Sequence, residues 1–438
     1  MNPLIKNVHC ADPSVHVWPN DDRIWIYSSH DEPGTNTCDS MKSYHVFSSS
    51  DMLHFVDHGR VLDISNVSWA GKQMWAIDAA YRNGIYYLIF CAYEADTGIF
   101  RTGLAKSDRP EGPFVDDGYI EGVRWGQDPA LFVDDDNTPY LFVGAGHCIE
   151  AYQLTDDLKS VVEGTYVDLT AQLPWAFEGP WVHKYQGKYY LTYPGLYENR
   201  WPEHMYYAVA DKPLGPYEFK GQYIENFPGN STTNHGSVVK YHDKWYAFHH
   251  SKWVSREDAC RNIMCDYLEY NEDGTIKPIC PSEKGVHGIY SDSYDTKVVT
   301  IIDASTVNLS GGKLTGGYAD TKVQGYTGHG YVTGFKHIYN GVRVLMQSCV
   351  KRQVKLSVRC ILPTAEKWKL MVNQILVGSA EDNMDYDKRV SINVCQNWEE
   401  QTLATIILKP GDNIIDLYVG EHTGSEIMID YIKAEDLL

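Results

Sequence analysis

No run of eighteen or more apolar residues occurs in this 438-residue chain, so nothing in it reads as a membrane-spanning helix. Basic residues are scarce: 38 Lys and Arg stand against 58 Asp and Glu, a formal net charge of −20. Phosphate backbones are bound by basic surfaces, so nucleic acid is excluded as a partner class. The ten cysteines include no C-x-x-C pair, and Cys260 and Cys265 lack a zinc-ribbon spacing. Cys91, Cys349, Cys360 and Cys395 sit inside apolar runs and read as reduced, buried small residues. No apolar core of signal-peptide type follows Met1, which favours a cytoplasmic location unless a signal has been removed; a secreted or periplasmic location is then the alternative. Long amphipathic helical patterns are missing too. Short strands punctuated by turns, such as N-G at 83–84 and Q-G at 186–187, stand in their place.

What is abundant is aromatic: 13% of the chain, with 32 Tyr and 12 Trp. Tyr and Trp suit pleated strands, and their rings also stack on sugars. Five times an acidic residue or histidine precedes a short apolar run, a turn and an aromatic-rich run. The copies begin D-P-S-V-H-V at Asp12, D-A-A-Y at Asp78, D-P-A-L-F-V at Asp128, E-G-P-W-V at Glu178 and H-G-S-V-V at His235. Starts recur every 50 to 66 residues, the scale of a four-stranded propeller blade with loops. The pattern predicts an all-β chain: a five-bladed β-propeller over residues 1–297. The longest interval, from Asp12 to Asp78, implies an insertion that includes D-E-P-G-T-N-T-C-D-S at 31–40, placed to shape a pocket.

After residue 297 the style changes to alternating strands. In V-K-L-S-V-R-C, Val354, Leu356, Val358 and Cys360 share one face, and Lys355, Ser357 and Arg359 the other. W-K-L-M-V at 368–372 and N-I-I-D-L-Y-V at 413–419 continue it, so residues 298–438 are expected to form a β-sandwich of jelly-roll type.

If the repeated residue opens the channel-lining strand of each blade, all five side chains converge at one mouth. Four are carboxyls, and neighbouring carboxyls raise one another's pKa values. Such a cluster is what acid–base chemistry needs. One acid to protonate a leaving oxygen and one base to activate water describe glycoside hydrolysis. A single Asp before Pro would be read as a turn cap; the repetition is what argues otherwise.

At these residues the chain resembles glycoside hydrolase family 43, whose members are five-bladed propellers that act with inversion. The resemblance places Asp12 of A-D-P-S-V at the general base, Asp128 of Q-D-P-A-L-F at the pKa modulator and substrate orienter, and Glu178 of F-E-G-P-W at the general acid. An ionised Asp128 is expected to raise the pKa of Glu178. W-A-I-D resembles the family's W-A-P-D with Ile77 in place of proline; Asp78 is expected to support the substrate site, with Trp75 and Phe177 as candidate sugar-contacting rings. Arg261, in C-R-N-I-M-C-D-Y-L, matches the arginine that contacts the innermost sugar. His235 matches a histidine beside a hydrated calcium ion in many members, so a structural calcium held through water is implied, with no cofactor required for the chemistry. His30, His249 and His250 are further candidates for the mouth.

The second domain resembles carbohydrate-binding module family 6, through G-Y-T-G-H-G-Y-V at 325–332, N-W-E-E-Q-T at 397–402, L-K-P-G-D-N at 408–413 and I-D-Y-I at 429–432. Trp398 stands where a sugar-contacting aromatic is often found. Met428 replaces the asparagine usual before I-D-Y-I, and the acidic opening is altered to I-D-A-S at 302–305. A sugar-binding module and a brace for the propeller both stay open.

The family resemblance implies an exo-acting hydrolase of xylan or arabinoxylan fragments from plant cell walls, a β-xylosidase or α-L-arabinofuranosidase. An endo-α-1,5-L-arabinanase shares the triad. A non-catalytic sugar-binding propeller is the alternative from another class, and predicts loss of a triad carboxyl. All three are present.

Overall fold

Successive residues of a strand face opposite sides of its sheet, and here both sides are apolar. Ala130 and Phe142 pack with Val182, Leu191 and Tyr193. Their chain neighbours Leu131 and Leu141 pack the other way, with Ala80, Ile89 and Leu104. Tyr190 and Tyr207 then continue the stack toward Val238, Ala247 and Leu268. Each sheet is therefore buried between two others, which is why the second strand of a repeat reads Y-L-F-V rather than apolar-polar. Sheets stacked in this way around an axis make a propeller.

The computed structural model describes residues 1–32, 37–364, 366–376, 390–420 and 426–437. They form two compact units: Met1–His54 with Leu62–Thr296, and Phe55–Val61 with Lys297–Leu438. The first unit is the five-bladed propeller. Blade one contains β1 (Cys10–Val17), β2 (Ile24–His30) and β3 (Ser43–Ser49), paired antiparallel in that order. The following strand, β4 (His54–Asp63), lies mostly in the second unit. Blade two has β5 (Ala70–Lys72), β6 (Ile77–Arg82), β7 (Ile85–Glu94), β8 (Phe100–Ser107) and β9 (Val115–Tyr119); β5 and β6 both pair with β7. Blade three runs β10 (Ala130–Val133), β11 (Pro139–Ala145), β12 (Cys148–Gln153), β13 (Val167–Asp168). Blade four runs β14 (Trp181–Tyr185), β15 (Lys188–Gly195), β16 (His204–Ala210), β17 (Glu218–Ile224). Among the described residues blade five has three strands, β18 (Gly236–Tyr241), β19 (Lys244–Ser251) and β20 (Asn262–Leu268). The start of the chain joins it: Leu4 donates its N–H to Ile263 O at 2.8 Å, and Asn2 exchanges two hydrogen bonds with the Cys265 backbone. The first residues thus close the ring on the last blade.

The second unit is a β-sandwich. One sheet contains β21 (Lys297–Asp303), β23 (Tyr318–Asp320), β24 (Tyr331–Thr333), β26 (Arg352–Leu362), β30 (Cys395–Leu408) and β32 (Met428–Asp436). The other contains β22 (Lys313–Thr315), β25 (Gly341–Ser348), β27 (Glu366–Val372), β28 (Ile375–Leu376), β29 (Val390–Ile392) and β31 (Gly411–Val419). Val354, Leu356, Val358 and Cys360 share the core with Val342, Val344, Trp368, Ile415 and Leu417. Ser357 is also buried, so the opposite face of β26 is polar without being open. The segment 55–61 is stitched in by polar contacts: Thr300 Oγ1 donates to Asp57 Oδ2 at 3.2 Å, and Arg60 pairs with Asp412 at 3.1 Å. Strand style carries no sign of this excursion, because Phe55–Val61 reads as part of the first repeat. Trp398 is a packed residue: its Nε1 donates to Gln324 O, Arg359 lies over its ring, and Tyr331 packs at 5.5 Å.

No helix among the described residues is long and apolar enough to cross a membrane.

Candidate active site

The repeated residue does not sit identically in every blade. Asp12 lies inside β1 at a bulge between Ala11 and Ser14, with φ +52°, and Asp128 lies two residues before β10 with φ +46°. Aspartate tolerates positive φ better than most residues. At E-G-P the positive φ, +56°, falls on Gly179 instead, where an added Cβ would come within 2.9 Å of Pro194 Cγ. These three local kinks bring Asp12, Asp128 and Glu178 to the wall of one cavity of about 110 Å³. Trp75, Gln127, Thr233, His235 and Arg261 share the wall, as do Cys38 and Met41 from the insertion between the first two repeats. Residues 33–36 of that insertion lie outside the described residues.

Asp12 is buried, which opposes its charge, yet its pKa is held below the ordinary value by Arg261, with a hydrogen bond from Ser29. Arg261 Nη1 stands 3.4 Å from Asp12 Oδ1. The guanidinium is itself clamped: Nε and Nη2 donate to the two oxygens of Asp31 at 2.9 and 2.8 Å, and the Arg261 N–H adds a third bond at 2.7 Å. His250 completes the floor. Its Nδ1 accepts the Asp12 N–H at 3.1 Å while Nε2 donates to Thr233 O at 2.9 Å, so this tautomer is neutral. Burial and Arg261 push its pKa down to about 3. Arg261 is therefore the lasting positive charge beside Asp12.

Glu178 has no such partner of its own. Burial and the Asp12 charge raise its pKa to about 7, against a smaller opposing pull from Arg261 and a hydrogen bond with Glu203. Asp128 is pushed well above the ordinary range by burial, Glu178 and Asp12, despite hydrogen bonds from Gly179 and Gln127. The sequence named an ionised Asp128 as the group that raises Glu178; in the structure the charge that does so is a different one. The charge raising Glu178 is that of Asp12, the carboxyl that Arg261 keeps ionised.

Asp78 does not line the cavity. Its carboxyl accepts from Ser14 Oγ and Ala79 N at 2.6 Å, from Leu131 N at 2.6 Å, and from His16 Nε2 at 2.8 Å. It ties β1, β6 and β10 together, joining blades one, two and three. Phe177 is not on the cavity wall either; it packs edge-on against His147 and Trp201 at 4.9 and 5.2 Å. Trp75 is on the wall, part-exposed, with Nε1 donating to Cys38 O at 2.9 Å. His30 is buried against His45, and His249 pairs with Asp266 at 3.2 Å; neither reaches the cavity.

The sequence reading did not single out Asp31 or Glu203. Asp31 follows β2, and Glu203 precedes β16; neither belongs to a repeated motif. The acidic pattern S-S-H-D and the isolated P-E-H offered the only signals. Beside His235 the nearest carboxylate oxygen is Asp12 Oδ1 at 3.9 Å, which faces Arg261. Calcium takes six to eight oxygen ligands. Among the described residues no group of three or more His, Cys, Asp or Glu is placed to hold a metal ion. The side chains present therefore do not form a calcium site by direct ligation.

A carboxyl kept ionised and a carboxyl with a raised pKa on the wall of one small cavity suit the acid–base pair of a glycosidase, the class of protein that the fold and site point to. Residues 1–276 match the model of the family described as Glycosyl hydrolases family 43. The chain belongs to that family, and is a glycosidase. It is 35% identical to Xylosidase/arabinosidase 43A of Humicola insolens, over 63% of this chain and 98% of that one. A family 43 β-xylosidase/α-arabinofuranosidase from a compost microbial metagenome, solved with xylotriose in a calcium-free form, is 33% identical with a TM-score of 0.57, covering 64% of this chain and 97% of that one. An arabinoxylan arabinofuranohydrolase structure from Bacillus subtilis spans 100% of this chain and 97% of its own, with a TM-score of 0.58 and 23% identity, a likeness of fold.

Proposed function

We propose that this enzyme removes terminal pentose units, xylose or arabinofuranose, from xylan or arabinoxylan oligosaccharides with inversion at the anomeric carbon. The observation that carries this is the opposite charging of two carboxyls on one cavity wall. Asp12 is ionised beside Arg261, and Glu178 is protonated up to a pH of about 7. Water attacks the anomeric carbon as Asp12 takes its proton. The glycosidic C–O bond breaks, its electron pair stays on the leaving oxygen, and that oxygen takes the Glu178 proton. Asp128, on the same wall, is suited to hydrogen-bond a sugar hydroxyl and orient the ring. Trp75 offers an indole to the sugar face.

The cavity supports exo action. At about 110 Å³ it equals the liquid volume of about four waters, room on the scale of one small ring. Cys38 and Met41 of the insertion help to close it. The Humicola and compost relatives carry both pentosidase activities in their names. We read calcium as a water-held structural ion with no part in the chemistry, and the sandwich as a brace resembling a carbohydrate-binding module, since Trp398 is committed to Arg359 and Tyr331.

Turnover of aryl β-xyloside and aryl α-arabinofuranoside by wild type, Asp12→Asn and Glu178→Gln tests the assignment. Each substitution should cost about 10²–10⁴-fold. Near-wild-type rates in either variant would overturn the roles, and NMR detection of a retained anomeric configuration would overturn inversion. Product analysis on arabinoxylan oligomers decides between xylose and arabinofuranose.

A further inference from the structure

Glu203 is a fully buried carboxyl that the reaction as described leaves unused. It sits just before β16 and is anchored to the segment leading into β18. Its Oε2 accepts the Asn234 N–H at 2.5 Å, its carbonyl accepts from Asn234 Nδ2 at 2.9 Å, and its N–H donates to Thr232 O at 3.1 Å. Its Oε1 meets no N–H or hydroxyl donor. What its carboxyl does meet is Glu178, to which it is hydrogen-bonded. Ionised carboxylates only accept, so two of them in buried contact require a proton between them.

The geometry points to Glu203 as a positioning residue for the acid step: a buried carboxylic acid whose O–H is donated to the Glu178 carboxylate created when the leaving oxygen takes its proton. The charged and titratable groups acting on the pair are Asp12, Asp128 and Arg261. The single cation among them, Arg261, acts on Glu178 and is turned toward Asp12 and Asp31. Oε2 already accepts the Asn234 N–H and Oε1 meets no donor, so a proton on Glu203 belongs on Oε1; burial, Glu178 and Asp128 raise its pKa well above the ordinary value. A donor fixed at Oε1 does little for a protonated Glu178 and most for the anion, so its contribution grows as the glycosidic bond breaks.

This rests on Glu178 being the acid. Glu178→Ala tests that separately: it should lose turnover of an alkyl xyloside while largely keeping that of a dinitrophenyl xyloside, which needs little protonation. Glu203 is tested by pH profiles of kcat/KM on the same two substrates. Glu203→Gln keeps both bonds, its carbonyl accepting from Asn234 and its amide donating to Glu178, and should retain the wild-type alkaline limb. Glu203→Leu removes the donor. Its limb should move up by about one to two pH units, and alkyl xyloside turnover should fall about 10–100-fold, the worth of one hydrogen bond to a charged group. Dinitrophenyl xyloside should change about threefold or less, on the same reasoning. An unmoved limb in Glu203→Leu, or one moved equally in Glu203→Gln, would overturn the inference while leaving the Glu178 result intact. Should Glu203→Leu fail to fold, infrared spectroscopy decides. Wild type at pH 8 should show one protonated carboxylic C=O band more than Glu203→Gln, since the raised Asp128 contributes equally to both, and identical bands in the two proteins refute the proposal.

Discussion

Replacing Glu178 with Gln should destroy activity and, above neutral pH, make the propeller more stable. In the folded protein the Glu178 pKa is raised from 4.5 to about 7. At pH below the ordinary value the folded and unfolded chains both hold the proton and no penalty arises. Between the two values the unfolded chain releases it and the folded one does not, so stability falls as pH rises, and the loss is complete above the folded value. The full shift corresponds to about 3 kcal/mol, and the residual solvent contact of Glu178 trims this to about 2–3 kcal/mol. Gln carries no proton to lose. The stability advantage of Glu178→Gln should therefore widen by about 2 kcal/mol between pH 5 and pH 8. Urea denaturation of the two proteins at both pH values measures it directly, and in thermal unfolding the gap should grow by roughly 4–8 °C. The same titration should set the alkaline limb of wild-type kcat/KM near pH 7. A stability gap that stays constant from pH 5 to pH 8 would refute the reasoning, because the folded-state shift would then not exist.

Arg261→Met should lower stability by about 3–5 kcal/mol by stranding buried Asp31 and Asp12, and raise the acid limb of kcat/KM by roughly 1–3 pH units. Because the Asp12 pKa lies below 3.8, its ion-pair stabilisation is present above that value and lost as pH falls further, so the Arg261→Met deficit should shrink on acidification. Gly179→Ala forces a Cβ to within 2.9 Å of Pro194 Cγ and 3.3 Å of His235 Cγ at φ +56°; about 1–3 kcal/mol of destabilisation and a lower kcat are expected by denaturation and steady-state kinetics. Chelation with EDTA should leave the pH profile of aryl xyloside turnover unshifted, and a limb that moves on chelation and returns with added calcium would contradict the assignment of all chemistry to side chains.

Much of the architecture was legible because a propeller repeats. The two-sided apolar strands and the residues at the head of each repeat are local patterns, readable without knowing what packs where. Asp12, Asp128 and Glu178 were legible for the same reason, since each lies in a short motif that also sets the local backbone. Asp78 was legible as a repeat member, but its place under Ser14, His16 and Leu131 N follows from packing among three blades. The excursion of Phe55–Val61 into the second unit was invisible, because a strand's pattern records which faces are buried and not against what.

The sequence by itself determined that five blades would bring acidic groups to one axis, and which three of them belong to motifs of glycoside hydrolysis. Only the tertiary structure decided their charges. Asp31 meets Arg261 across 230 residues of chain, and Arg261 meets Asp12 across 249; that placement makes Asp12 the anion. Glu203, on no motif, meets Glu178. A carboxyl's protonation depends on the charges, donors and water around it, so a motif can name the group while the fold alone sets its state.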